Sequence, residues 1–199
     1  TATNTNNTAV GYAAGPLVTT GYSLTFVGAD AGGSHTTGAQ CTFIGSESGN
    51  FATTSDNSTF VGHEAGRGIT GTKLTGNNNT AVGTFAGANL QGTAHSNTAI
   101  GKSTGAGITT GFENTCVGIA AGDAITTGSN NIIIGASVDP NAADDVNVIA
   151  IGIGITGAPN DFTFGKASNV VFNDFDTDAA WTRSSDERLK KNITDQTLG

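Results

Sequence analysis

Methionine is absent from the 199 residues, tryptophan occurs once, cysteine twice and proline three times. Charged residues make up only 12 % of the chain. Each shortage excludes something. No apolar run approaches the roughly 20 positions that a membrane-spanning helix needs, so no membrane insertion is expected, and no signal-peptide pattern is visible. What fills the space left by charge is 30 Gly, 32 Thr and 19 Asn. These are poor helix formers, which argues against a helical bundle. Basic residues number 8 against 16 acids, a net charge of −8, so a nucleic-acid partner held by basic patches is not expected. Ten of the sixteen acids lie after position 138, leaving a nearly neutral body and an acidic tail. The chain opens inside a polar pattern, Thr1 to Asn7, which reads as part of something longer.

What is present is a repeat. A phrase Thr-apolar-(Val/Ile)-Gly recurs with its glycine at Gly11, Gly28, Gly45, Gly62, Gly83, Gly101, Gly118, Gly135 and Gly152, at intervals of 17, 17, 17, 21, 18, 17, 17 and 17. The residue before that glycine is β-branched in all nine copies, from Val10 to Ile151. The residue before that is always apolar, with Phe26, Phe43 and Phe60 in three copies and Ala, Cys or Ile in the rest. A second glycine follows four positions later in seven copies. Seventeen residues are too few for a helix, a strand and their connections, but they suit one coil of a β-solenoid with two or three corners. The expected fold is therefore all-β, a parallel β-solenoid of about nine rungs over residues 1–157. At about 4.8 Å per rung it would be a rod roughly 40 Å long. Asn7, Asn79, Asn97, Asn114 and Asn131, each just before its phrase, are placed either to stack as amide ladders along the rod or to serve as solvated turn residues.

Successive side chains of a strand point to opposite faces. The β-branched column and its apolar neighbour therefore cannot both face the interior unless the segment bends. A straight strand leaves one column outside as a continuous apolar stripe, which on an isolated rod is an aggregation surface. Packing of several chains along their stripes resolves this, and an oligomer is the expectation. The 21-residue interval carries its extra residues near Gly71 to Asn79, a loop in which Lys73 is a candidate contact residue or merely idle.

After Gly152 the register fades. Residues 158–183 read as a neck or cap, with Phe162, Phe164, Phe172, Phe175 and Trp181 among Asp174, Asp176 and Asp178, closing the rod's end. Then Ser184-Ser185-Asp186-Glu187-Arg188-Leu189-Lys190-Lys191-Asn192-Ile193 starts a helix by local rules, Ser184 and Glu187 forming a capping box. Leu189 and Ile193 share one face of it.

The stretch SSDERLKKNI also resembles the opening of the intramolecular chaperone domain at the C-terminus of endosialidase-type phage tail fibres and tail spikes. The resemblance covers residues 184–199, the start of a domain that in the family runs on further. It implies a chaperone that assembles a homotrimer and then cuts itself off between Ser184 and Ser185. Ser185 would be the nucleophile and Lys190 the base. Serine needs such a base, and a lysine serves only when desolvation lowers its pKa. Residues five apart do not face each other on a helix, so the helix should begin after Ser185 or the two should belong to different chains. The phrases NNTAVGYAAG and NTAIGKSTG resemble head repeats of trimeric autotransporter adhesins and similar repeats of phage fibres.

Other sites are set aside. His35, His63 and His95 share no column, so no stacked metal site is expected and each reads as a surface histidine. Cys41 and Cys116 lie four rungs apart, about 20 Å, beyond disulfide reach. Paired threonines (Thr19-Thr20, Thr36-Thr37, Thr53-Thr54, Thr109-Thr110, Thr126-Thr127) evoke an ice-binding face, but adjacent residues point apart. No cofactor is expected, and no recurring carboxylate pair offers glycan hydrolysis. The functional expectation is a structural and adhesive segment of a trimeric phage tail fibre, in the virion and outside the cell, touching a bacterial surface glycan or protein receptor. The alternatives are the head of a bacterial cell-surface adhesin and, as a minor one, an ice-binding solenoid. Enzymatic activity would be limited to the single Ser185–Lys190 cut.

Overall fold

The computed structural model describes residues 5–177, and among these it contains no helix. Eight strands follow in order: β1 (Thr8–Val10), β2 (Thr25–Val27), β3 (Thr42–Ile44), β4 (Thr59–Val61), β5 (Thr80–Val82), β6 (Thr98–Ile100), β7 (Thr115–Val117) and β8 (Ile132–Ala136). They pair in parallel, each with the next, Thr on Thr and Val or Ile on Val or Ile, until β8 puts Ile132 opposite Thr115. β10 (Ile149–Ile153) stacks on β8, with Gly152 opposite Gly135. Between them β9 (Asp139–Pro140) pairs with β11 (Thr156–Gly157) in a small second sheet. The molecule is a parallel β-solenoid of about nine turns, as the period requires.

The sequence sets each turn by two local rules. Thr and Val or Ile are stiff at χ1 and favour the extended backbone. The glycine that ends each phrase then adopts a conformation that other residues avoid. Eight of the nine rung glycines have φ between +130° and +137°. A Cβ on Gly28 would lie 2.5 Å from the carbonyl oxygen of Gly45 in the next coil. Three further positions use the left-handed region: the residue two past the rung glycine (Ala13, Asp30, Glu47 and onward), the second glycine of the first seven phrases, and a polar residue two before the start of each phrase (Asn6, Ser23, Gln40, Asn57, Asn78 and onward). Asn tolerates that region better than most residues.

The strands are straight, so alternation decides the core. Phe26, Phe43, Phe60, Ala81, Ala99, Cys116, Ile133 and Ala150 are buried and the β-branched column faces outward. Two fillings share the interior. In the first, Phe26, Phe43 and Phe60 stack with ring centroids 4.9 Å apart and planes within 9° and 13° of parallel. In the second, alanine or cysteine stands in the phenylalanine column, and Leu90, Ile108 and Ile125 reach across from another wall to fill the space. This second block also carries the amide ladder. Asn97, Asn114 and Asn131 each donate from Nδ2 to the Oδ1 of the preceding asparagine, at 3.2, 3.0 and 3.0 Å. Asn79, Asn97, Asn114 and Asn131 are all buried, so the ladder reading holds for these four. Asn7 does the same work singly, accepting from the Leu24 amide and donating to the Gly21 carbonyl.

The 21-residue turn resumes pairing at Leu74, which bridges Ala52 and Gly92, and the extra residues Gly71, Thr72 and Lys73 are exposed. Beyond Gly152 the repeat has not ended. β12 (Asp161–Lys166) lies parallel to β10, with Gly165 opposite Gly152 and Phe164 opposite Ile151. The interval has shrunk to 13, and threonine stands in the inward column, which hides this copy from a pattern search. β13 (Asn169–Asp174) then folds back antiparallel onto β12, and Val170 packs against the core.

Candidate functional site

The outer face of the eleven-stranded sheet is the feature that the repeat builds most consistently. Its central row is Val10, Val27, Ile44, Val61, Val82, Ile100, Val117, Ile134 and Ile151, continued by Phe164 on β12. All ten are apolar. Within the row Val10 is 58 % exposed, Ile44 38 % and Ile100 41 %. The adjacent row on the same face is threonine from Thr8 to Thr115 and then becomes Ile132, Ile149 and Phe162. Neither row contains a charged residue, and the face grows more apolar towards its C-terminal end. Tyr12, Ile119 and Ile153, in the row just past the rung glycines, are also exposed. One of the two apolar columns was expected to lie outside, and it is the β-branched one. The phenylalanines go in because their rings fit one above another at the rung spacing.

No family model, curated protein or solved structure matches the chain. Its chemistry therefore rests on its own residues. Ser184, Ser185, Lys190 and Trp181 lie outside the described residues, as does the helix that was expected to start at Ser184.

The histidines need one correction. His35 is not a surface residue but fully buried, its ring edge-on to Phe26 and Phe43. Its two nitrogens lie 2.9 Å from the Ala52 carbonyl oxygen and 3.1 Å from that of Gly38. Backbone oxygens supply these partners, and no sequence pattern announces them. His63 and His95 are surface-placed. His63 sits 3.7 Å from Glu64, which Arg67 pairs at 2.8 Å, and His95 stacks on Phe112 at 5.0 Å. No group of three or more metal-ligating side chains exists among the described residues.

Both cysteines are free and buried. Burial pushes the Cys41 thiol up to about 11 and the Cys116 thiol up to about 12, so neither forms a thiolate readily. The first threonine of each pair hydrogen-bonds from Oγ1 to a carbonyl of the next coil, at 3.0 Å for Thr36 and Thr109, while Thr37 and Thr110 are exposed. The loop residue Lys73 is exposed, and its carbonyl accepts from the Gly92 amide. No helix among the described residues is long and apolar enough to cross a membrane.

Proposed function

We propose that this chain is a structural and adhesive rod segment of a homotrimeric phage tail fibre, packed along the stripe from Val10 to Phe164 and carried in the virion to the bacterial surface. The observation that carries the reading is the pair of uncharged rows, Thr8 to Phe162 and Val10 to Phe164, on the outer face of the sheet, with Lys102 and Lys166 standing in the row beside them. Burying such surface contributes about 25 cal/mol per Å², and among the described residues nothing covers it. A second copy presents the same stripe at the same rung spacing, so matched rods can pack along their whole length. The neighbouring corners are rich in Thr, Asn and Gly, a surface suited to a glycan receptor. The resemblance of residues 184–199 to a self-releasing chaperone favours the phage fibre over a bacterial adhesin head, which would use the same stripe.

The test is light scattering of the 199-residue chain, with a mass near three times 19.8 kDa expected. Replacing Ile44 and Ile100 by lysine should lower that mass while leaving the β-type circular dichroism unchanged, because both side chains are outside the monomer core. A wild-type monomer would overturn the proposal.

A further inference from the structure

The strands β1 to β8, β10 and β12 all run the same way, so their outer face has two unlike long edges. One edge lies before the threonine row and the other lies past the rung glycines. The glycine edge carries Lys102 beyond β6 and Lys166 at the end of β12, both exposed. The threonine edge carries acids at nearly the same heights. Glu113, two residues before β7, is exposed one rung from Lys102, about 4.8 Å along the rod. Asp161 opens β12, and Asp174 stands opposite it on β13. Burial, and then the charges of Asp174 and Asp176, hold the Asp161 carboxyl above the ordinary carboxylate range. Neutral donors serve this cluster: Asp176 accepts from the Asn160 amide at 2.7 Å and Asp174 from the Thr177 hydroxyl at 2.6 Å. Among the described residues neither lysine, nor Glu113, nor any of the three aspartates takes part in an ion pair. On one chain the width of the uncharged rows keeps these bases and acids apart.

A second copy brings them together only in one direction. When two rods lie side by side and parallel, the glycine edge of one meets the threonine edge of the other at every height. Lys102 then reaches Glu113 of the neighbouring copy, and Lys166 reaches its aspartates. Fully overlapped antiparallel rods bring like edges together instead. That turns Lys166 towards Asp30, but it sets Glu113, Asp174 and Asp176 against an edge row, Asn6 to Asn160, without lysine or arginine. The uncharged rows favour the same direction. The threonine row ends in Ile132, Ile149 and Phe162. Burial stabilises most where apolar surface meets apolar surface. Parallel rods lay these three on their own counterparts, whereas antiparallel rods lay them on Thr42, Thr25 and Thr8.

We infer that copies of this chain pack parallel and in register, with Lys102 of one copy paired to Glu113 of the next and Lys166 paired to the next copy's Asp161, Asp174 and Asp176. The inference rests on the stripe being an interface between copies, and it adds the direction and the register. Charge pairs at an interface rim contribute more to orientation and register than to affinity. The uncharged rows supply the burial, and the two lysines select which way round a neighbour docks.

The test is carbodiimide coupling of the folded 199-residue chain. The reagent joins a lysine Nζ to a carboxylate in contact with it as an amide and takes up the water released. Dimer- and trimer-sized bands on a denaturing gel should contain Lys102 joined to Glu113, and Lys166 joined to Asp161, Asp174 or Asp176, when their peptides are weighed. Lys102→Gln should remove the first link and leave the second. A charge swap checks the same contact without the reagent. Glu113→Lys should raise the concentration at which the assembly half-dissociates about tenfold, because like charges across an interface repel, and adding Lys102→Glu should bring it back to within about twofold of wild type. A monomer in light scattering would overturn the stripe as an interface, and the inference with it. An assembly that links Lys166 to Asp30, that yields neither expected link, or that the swap does not restore would overturn the direction and register alone.

Discussion

Asn114 shows how much a single buried side chain carries in a repeated fold. Its Nδ2 donates to Asn97 Oδ1 and to the Gly128 carbonyl, and its Oδ1 accepts from both the amide and the Nδ2 of Asn131. Truncation leaves partners stranded on both sides, and a stranded buried group costs about 1–3 kcal/mol. Asn114→Ala should therefore lower stability by about 3 kcal/mol in urea unfolding, whereas Asn89→Ala, at an exposed position, should change it by less than about 0.5 kcal/mol. Asp139 provides a second check. Burial pushes its folded pKa up to about 6, above the ordinary carboxylate value of 3.8, so the folded state holds a proton between those values that the unfolded chain has lost. For an acid shifted upward, the native state weakens as pH rises through that window. Asp139→Asn keeps an oxygen for the Ala124 amide and does not ionise. Its melting temperature should exceed that of wild type by a few degrees at pH 7, and the gap should close near pH 4.

Among the elements, the strands were the most legible, because Thr-apolar-(Val/Ile)-Gly fixes both an extended segment and the glycine that must follow it. Which column faced inward was not legible, since both are apolar. The choice turns on Phe26, Phe43 and Phe60 stacking at 4.9 Å, a three-dimensional fit. The burial of His35 was not legible for a related reason: the Ala52 carbonyl and the Phe43 ring reach it only through coiling, while Gly38 lies three residues on in the same coil. β12 escaped notice because Thr163 took an apolar place and the interval fell to 13. The position of the insertion was legible and its character follows from the structure. A Cβ at Gly71 would meet nothing within 4 Å, and Thr72 and Lys73 are exposed. Exposed loop tips are where native chains are nicked first. Brief trypsin treatment of the folded protein should cut after Lys73 before it cuts after Arg67, whose guanidinium is engaged with Glu64, and N-terminal sequencing from Leu74 would show it.

At the scale of the molecule, the described solenoid has one continuous core that is filled in two ways. One block closes its interior with aromatic rings and the other with amides and branched aliphatics. A coil excised within a block brings like against like. Removing residues 99–115 joins Thr98 to Cys116 and preserves the asparagine and isoleucine columns, so the shortened rod should fold and melt within a few degrees of the parent. Removing residues 61–81 instead joins Phe60 to Val82 and takes Asn79 from under Asn97, leaving the Asn97 amide and Nδ2 without the Oδ1 they donate to. Its melting point should fall further.

The reversal at β13 has a consequence for growth. A stack of parallel coils is a template, and an uncovered last coil would recruit the first coil of another copy and so on without limit, as a fibril end does. Because β13 runs backwards, the last described strand offers a polarity that the coils before it cannot extend in parallel. Among the described strands the parallel register stops there, and a second copy could not continue it in that direction as one more coil.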